Sequence, residues 1–325
     1  MNDFTNIIMG DSDSLEKRGN LFIYGIEERV NSSLNHIKNK YSNYTEFLNA
    51  VNYIEHFHSD TIKADIESLY RLGYYPATET EMEFDYSIKH ALIGSYKSAF
   101  SDLRRALELS IIFVYLSSEQ VERKKAVDWI KSRSDTPGFS KAITKLIKNG
   151  RFKKIDNSCN WKKNLQNLYW QLSDFSHNKG QLKGYRELNS PTFFTAGSSA
   201  PSIKNETLEL FCDFYIQTVK EIVVIQSLYN PIILVGVPFD EKFGLEGPMS
   251  GFLNDFQAES VNQLIPEKYR HYFDDLIKND EEVDSIINYF DSLPDLTKED
   301  IEKQAKSQDE FFSQMKTDNK ENQST

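Results

Sequence analysis

Arg104 and Glu108 are the first residues whose types and spacing could do chemistry. They lie four positions apart in the segment LRRALELSIIFVYL, residues 103–116, so on a helix their side chains can meet. They come just before an apolar run, where an unpaired charge would be costly. Two interpretations follow: Arg104 holds a phosphate or carboxylate in a pocket, or the two residues form a structural ion pair that lines the core.

A second polar cluster ends the segment LYWQLSDFSHNKG, residues 168–180, and its central residue is His177. The other polar residues of the cluster are Ser173, Asp174, Ser176, Asn178 and Lys179. If this helix pairs with the helix that carries Arg104 and Arg105, His177 could approach either arginine. Histidine would then supply general acid–base chemistry, and arginine would stabilise phosphate charge. The alternative is a hydrogen-bonded histidine that closes the helix end.

A basic stretch separates these two clusters. Residues 121–186 hold 16 Lys+Arg and 5 Asp+Glu, although the whole chain has a net charge of −11. The residues that we expect to bind RNA phosphates are Lys153, Lys154, Lys162 and Lys163. Phe139, Phe152 and Trp161 interleave with the basic residues, and this combination suits single-stranded nucleic acid by charge neutralisation and base stacking. The same pattern is common on the solvated faces of amphipathic helices.

The C-terminal part of the chain has the opposite charge. Residues 251–325 hold 8 Lys+Arg and 18 Asp+Glu. Because opposite charges attract, this part could dock on the basic stretch and mask it.

Two pairs of residues also have the spacing of metal ligands. Glu55 and His58, and likewise Asp174 and His177, are three positions apart, which places both members of a pair on one helix face. Di-iron helical bundles use two such pairs with glutamate in each, whereas the second pair here has aspartate. Since the spacing is generic, we predict neither a metal nor another cofactor.

Composition excludes several classes of protein. Gly and Pro are sparse, at 14 and 9, which argues against a turn-rich β-sandwich or barrel. The two cysteines, Cys159 and Cys212, cannot form a disulfide scaffold, so we expect reduced thiols in the cytoplasm. The sequence contains no phosphate-binding loop, dinucleotide-binding glycine motif, nucleophile elbow or HExxH motif. No signal peptide begins it, and its most apolar stretch, residues 221–239, is interrupted by polar residues, so we expect no membrane association.

The elements that must position these residues are helices, because apolar residues recur at helical spacing along most of the chain. The strongest helices span residues 84–117, with Gly94 inside the helix, and residues 160–177. We therefore predict an all-α fold. Its predicted divisions are a disordered tail at 1–13, N-terminal helices at 14–77, a helical bundle at 78–229, an acidic helical extension at 230–312 and a disordered tail at 313–325. A short extended or irregular segment is predicted near 231–250.

The two strong helices resemble the HEPN-like helical superfamily of prokaryotic proteins, in particular the branches found with abortive-infection and other phage-defence genes. The shared pattern is an LRxxLE core, here Leu103 to Glu108, followed by LSxxxH on a later helix, here Leu172 to His177. The resemblance covers about residues 78–229. It implies an up-down helical bundle, a homodimer and a role in a bacterial stress or phage-defence system.

The resemblance departs from the catalytic members at one position. Those members carry Arg-x(4–6)-His and cleave RNA without a metal: the histidine helps proton transfer at the 2′-hydroxyl and the arginine steadies the phosphate. In this sequence Trp170, Gln171 and Leu172 occupy the positions where that arginine would precede His177. Arg29 and His36 fit the spacing, but they lie outside the matched region.

The sequence therefore predicts a non-catalytic or divergent HEPN-like protein that binds RNA or a partner protein. One alternative is a metal-independent endoribonuclease that uses His177 with Arg104 or Arg105. Another is a structural adaptor that buries these groups and has no site.

Overall fold

Every regular element in the described part of the chain is helical, which confirms the predicted all-α fold. The computed structural model describes residues 12–63, 74–118, 122–148, 150–176, 203–244 and 251–321. Within these residues there are fourteen α-helices and no strands. In chain order they are α1 (Ser12–Lys40), α2 (Tyr44–His56), α3 (Tyr74–Leu92), α4 (Tyr96–Ser117), α5 (Arg123–Ile130), α6 (Phe139–Leu146), α7 (Gly150–Cys159), α8 (Trp161–Ser176), α9 (Asn205–Tyr229), α10 (Phe239–Phe243), α11 (Asp255–Gln263), α12 (Glu267–Asn279), α13 (Glu281–Ser292) and α14 (Lys298–Glu321).

The chain divides into two compact units, and each unit takes residues from three separate stretches. Unit 1 draws on residues 1–51, 79–108 and 164–218, and unit 2 on residues 52–78, 109–163 and 219–325. This division differs from the sequential boundaries expected at residues 77/78 and 229/230. The difference arises because the long helices α4, α8 and α9 each contribute residues to both units.

Aromatic rings form the core of unit 1. Phe100 of α4 is fully buried, and its ring centroid lies 4.5 Å from that of Phe175 on α8. Phe211 and Phe214 of α9 contact Phe100 with ring centroids 6.0 and 5.7 Å away. These rings recur on the apolar stripes that predicted the helices. Their burial therefore holds α4 and α8 together and fixes which faces of the two helices meet.

Unit 2 buries the apolar run Ser110–Leu116, in which no residue is more than 6% exposed. Since this run is apolar on every side, it must be covered on every side. Elsewhere in the unit the indole of Trp161 packs against Phe152, with ring centroids 5.4 Å apart. The C-terminal helices add a smaller cluster made of Ile232, Val237, Phe239, Val283 and Phe290.

Gly94 ends a helix and does not lie inside one, so that part of the prediction is wrong. The structure has two helices, α3 and α4, joined at Ile93–Ser95. Gly94 has φ of +82°, a left-handed conformation that glycine adopts without steric cost and that commonly terminates helices. The amide of Ser95 then donates to the carbonyl oxygen of His90. The turn places α3 and α4 next to each other as a helical hairpin.

Other boundaries also differ from expectation. The second N-terminal helix, α2, ends at His56, and the basic residues 150–159 form a helix, α7, that the sequence did not indicate. The segment expected to be extended or irregular near 231–250 begins with a 3-10 turn, Pro231–Leu234, and contains the short helix α10. Helix α14 continues to Glu321, within the range 313–325 that was predicted to be disordered. Most of the predicted tail 1–13 lies outside the described residues.

Within the described residues, no helix combines the length and the apolar character that a bilayer span requires.

Candidate functional site

Two of the polar residues predicted on the two strong helices, Arg104 and Ser173, lie near one another in unit 1. Arg104 of α4 donates from Nη1 to the hydroxyl of Tyr169 on α8, at 3.3 Å. The guanidinium carbon of Arg104 also lies 5.7 Å from the centroid of the Tyr169 ring, within the range of a cation–π contact. Ser173, one turn further along α8, is hydrogen-bonded to Tyr169. The pairing of α4 and α8 thus places Ser173 beside the arginine, and Tyr169 bridges the two residues.

Burial shapes the electrostatics of this group. The pKa of the Glu108 carboxyl is raised because burial penalises its charged form, although the positive charge of Arg104 partly opposes this effect. The pKa of Tyr169 is raised by burial and by the charge of Glu108, while Arg104 and Ser173 act in the opposite direction. Among the described residues, the buried Nε of Arg104 has no hydrogen-bond partner. Within that part of the chain, Arg104 therefore keeps one buried donor unsatisfied.

Three of the predicted site residues lie outside the described residues: His177, Asn178 and Lys179. Helix α8 ends at Ser176, so His177 directly follows it in the sequence. Ser173 precedes His177 by four positions.

Arg105 belongs to a different network, which joins α3 and α4 in unit 1. Its Nε donates to Glu83 at 2.8 Å, its Nη2 donates to Asp102, and its Nη1 donates to Ser101 at 3.1 Å. His90, on the last turn of α3, approaches the other oxygen of Asp102 with its Nδ1, at 2.6 Å. Because these contacts use three of the five N–H donors of an arginine, Arg105 is less available for phosphate than the sequence suggested.

Asp102 is the buried centre of this network. Its side chain is 2% exposed, whereas the His90 side chain is 39% exposed. Burial raises the pKa of Asp102, and this effect outweighs the opposing contributions of His90 and Arg105. Sequence reasoning did not find His90 because its partner lies across the turn at Gly94. Recognising that glycine as a helix end would have placed His90 and Asp102 at the base of one hairpin.

The pair Arg29 and His36, which fits the Arg-x(4–6)-His spacing, lies on α1 in unit 1. His36 is bound to Glu209 of α9, with Nε2 2.8 Å from the carboxylate oxygen, and its side chain is 11% exposed. Since a general base must be reachable by its substrate, this burial does not favour His36 in that role.

The predicted lysine group, Lys153, Lys154, Lys162 and Lys163, lies on α7 and at the start of α8 in unit 2. Three of these side chains are exposed, and that of Lys162 is half-buried. Among the described residues, no carboxylate lies within ion-pair distance of any of the four lysines. The lysine side chains therefore form no ion pair in the described part of the chain, although the carboxylate of Asp156 lies nearby and accepts from the backbone amide of Lys162 at 2.8 Å.

The aromatic residues of the basic stretch do not accompany the lysines to the surface. Phe139 and Phe152 are buried, and Trp161 is 0% exposed. Their rings form part of the unit 2 core, so the prediction that they stack on bases is wrong. The helical period explains the error: the lysines and the aromatic residues alternate in sequence but lie on opposite faces of their helices.

The acidic C-terminal part forms ion pairs with Arg151, on the first turn of α7 in the basic stretch. Its Nε and Nη2 donate to the two oxygens of Asp280, each at 2.7 Å, and Nη2 also donates to Glu282 at 2.7 Å. The hydroxyl of Tyr272 donates to the backbone carbonyl of Arg151 at 2.9 Å. These contacts hold α7 against α12 and α13 in unit 2.

The described residues contain no group of three or more His, Cys, Asp or Glu that could hold a metal ion. Glu55 is exposed, whereas His58 is buried against the ring of Tyr53. Although Glu55 and His58 are three positions apart, their side chains do not lie together on an exposed surface where both could bind a metal ion.

No protein-family model, curated protein or solved structure matches this chain. Its function must be inferred from its own residues.

Proposed function

We propose that this protein binds RNA through the phosphate backbone, and that the lysine group of α7 and α8 is the binding surface. The observation that supports this is the absence of carboxylate partners for Lys153, Lys154, Lys162 and Lys163 among the described residues. The four lysines stand close together within residues 121–186, where 16 Lys+Arg face 5 Asp+Glu, although the whole chain is acidic. Each can neutralise a phosphate and release its condensed counterion.

The chemistry of the group indicates how RNA would be recognised. Lysine ammonium groups bind phosphate as point charges, and they carry no information about bases. Since Phe152 and Trp161 are buried, these rings cannot add stacking on bases. The binding should therefore be strongly dependent on salt and indifferent to sequence.

Charge reversal tests this proposal. We expect Lys153→Glu/Lys154→Glu and Lys162→Glu/Lys163→Glu to weaken binding of a labelled single-stranded oligoribonucleotide in a fluorescence-anisotropy titration. Each lost phosphate contact should reduce the slope of log K against log salt by about 0.7. Lys303→Glu/Lys306→Glu, on the exposed face of α14, makes the same change in net charge and is the matched control. An equal loss in the control, or no binding by the wild type, would contradict the proposal.

A second candidate function is metal-independent cleavage of RNA by His177 with Arg104. The observation that favours it is the partnerless Nε of Arg104, on a side chain held by Tyr169 beside Ser173, one turn before His177 in the sequence. Incubation of labelled RNA with wild type, His177→Ala and Arg104→Lys in the presence of EDTA tests it. We expect cleavage by the wild type and its loss in both variants, with RNA binding retained. Absence of cleavage by the wild type refutes this candidate.

The setting follows from the resemblance to HEPN-like proteins. We propose a cytoplasmic homodimer that acts in a bacterial stress or phage-defence system, where RNA or a partner protein from the same system is the ligand. Light scattering of the purified protein gives its mass in solution, and the mass of a single chain, 37.7 kDa, would exclude the homodimer.

A further inference from the structure

Arg151 is the one arginine of helix α7, and it lies two positions before Lys153. Arginine is the side chain best suited to phosphate, because its planar fork can bind two oxygens at once. The guanidinium of Arg151 already holds two oxygens in this way, those of Asp280, with Nε–Oδ2 and Nη2–Oδ1 distances of 2.7 Å. A carboxylate thus occupies the position that a phosphate of bound RNA would take.

Asp280 and Glu282, here called the acidic clasp, are themselves held in place. The Asp280 side chain accepts from the backbone amides of Glu282 and Val283 and so caps helix α13. Glu282 accepts from Lys63 as well as from Arg151. The pKa of Asp280 is lowered by the hydrogen bonds from Arg151, so the clasp is ionised at neutral pH. The clasp is therefore a preorganised anion that needs no ordering in order to bind Arg151.

We propose that the acidic clasp is a built-in competitor for RNA phosphate, and that its release from Arg151 raises the affinity of the lysine group for RNA. The inference rests on the proposed RNA binding and adds its regulation. While Asp280 and Glu282 bind Arg151, RNA contacts the lysines alone. When Asp280 and Glu282 release Arg151, its guanidinium can form one further, bidentate contact with an RNA phosphate.

Conservative variants separate this role from a purely structural one. Asp280→Asn/Glu282→Gln removes both negative charges but keeps side-chain size, and asparagine caps a helix as well as aspartate does. We expect the full-length variant to bind a single-stranded oligoribonucleotide about tenfold more tightly than wild type, the size of one charged hydrogen-bonded contact. The slope of log K against log salt should steepen by roughly 0.7.

Three further variants make the result specific to Arg151. Asp274→Asn/Asp275→Asn removes two exposed negative charges from the same acidic region, and it should change the affinity by less than about twofold, since surface charges are screened. Arg151→Met alone should bind RNA no more tightly than wild type, because it cannot supply the further contact. In the Arg151→Met background the clasp substitutions should give no gain.

The outcomes distinguish this inference from the proposed function. If wild type binds RNA through its lysines but the clasp variant shows no gain, or if the Asp274/Asp275 control gains equally, the clasp is refuted and the lysine surface stands. A gain that persists without Arg151 also refutes the clasp. If neither wild type nor the clasp variant binds RNA, both proposals fail. Thermal melting of each variant confirms that a folded protein is being compared.

Discussion

Arg105 in unit 1 and Arg151 in unit 2 each bind two carboxylates, but the two clusters differ in burial and in geometry. The Arg105 side chain is 43% exposed, and it reaches Glu83 and Asp102 through separate nitrogens. The Arg151 side chain is 21% exposed and grips both oxygens of Asp280 while it also binds Glu282. Similar residue types therefore produce two different kinds of ionic cluster.

The aspartates show which physical effect dominates in each cluster. Burial has the largest effect on the pKa of Asp102 and raises it, although His90 and Arg105 both favour the charged form of this carboxyl. The hydrogen bonds from Arg151 have the largest effect on the pKa of Asp280, and they lower it. Pairing outweighs desolvation for Asp280, whose carboxylate Arg151 binds through two nitrogens. The comparison indicates that the Arg151 cluster stabilises its unit more than the Arg105 cluster does.

Removing each arginine is the strongest test of this comparison. We expect Arg151→Met to lower the free energy of unfolding by about 3 kcal/mol, because it leaves Asp280 and Glu282 without their common cation. Arg105→Met should cost only about 1 kcal/mol, since solvent screens its exposed guanidinium and His90 still contacts Asp102. Urea denaturation followed by circular dichroism measures both. Arg133→Met, at an exposed arginine, should stay within about 0.5 kcal/mol of wild type. Equal losses for Arg105 and Arg151 would remove the distinction between the clusters.

The difference between the clusters also explains what could be predicted from sequence. The apolar stripes of α4 and α8 predicted two strong helices, and their pairing was a condition of the site hypothesis; burial of Phe100 against Phe175 is the kind of contact that such stripes favour. Once the apolar faces meet, Arg104 and Ser173 must lie on neighbouring flanks. This part of the candidate site therefore followed from periodicity alone.

The ionic clusters did not follow from it. His90 and Asp102 are 12 positions apart, and their contact depends on the backbone conformation of Gly94. Arg151 and Asp280 are 129 positions apart, and no local pattern links them. The sequence raised the possibility that the acidic C-terminal part docks on the basic stretch, and Asp280 and Glu282 do bind Arg151. Net charge alone could not identify Arg151 as the residue that makes the contact. Long-range pairing depends on the tertiary fold, which a charge count does not contain.

A substitution at Gly94 tests how strongly the unit 1 cluster depends on its turn. Gly94→Ala should lower the free energy of unfolding by roughly 1 kcal/mol or more, because alanine is strained at φ of +82°. Gly25→Ala, within α1 of the same unit, should instead stabilise by up to about 1 kcal/mol. Among the described residues, a Cβ at Gly25 would meet the flexible end of the Arg29 side chain, at 3.1 Å. Thermal denaturation of the two variants should therefore show shifts of opposite sign.

If Gly94→Ala proves neutral, the hairpin does not depend on the left-handed conformation, and the contact between His90 and Asp102 must be held by the packing of α3 on α4 alone.

The smallest expected effect is a difference in pH dependence between the two aspartates. The lowered pKa of Asp280 means that its ionised form stabilises the fold; this contribution is present above the unfolded value, about 4, and is lost as pH falls through the folded value. The raised pKa of Asp102 means that the folded protein takes up a proton more readily than the unfolded chain. Its contribution is therefore greatest at acid pH and is lost as pH rises through the folded value.

Urea denaturation between about pH 3 and pH 7 should reveal the opposite signs. As pH falls, the stability of wild type relative to Asp280→Asn should decrease, whereas its stability relative to Asp102→Asn should increase. Asparagine cannot ionise, so each variant removes one titration and leaves the others in place. If both differences moved in the same direction, burial and pairing would not be acting oppositely on the two carboxylates, and the contrast between the clusters would reduce to their exposure alone.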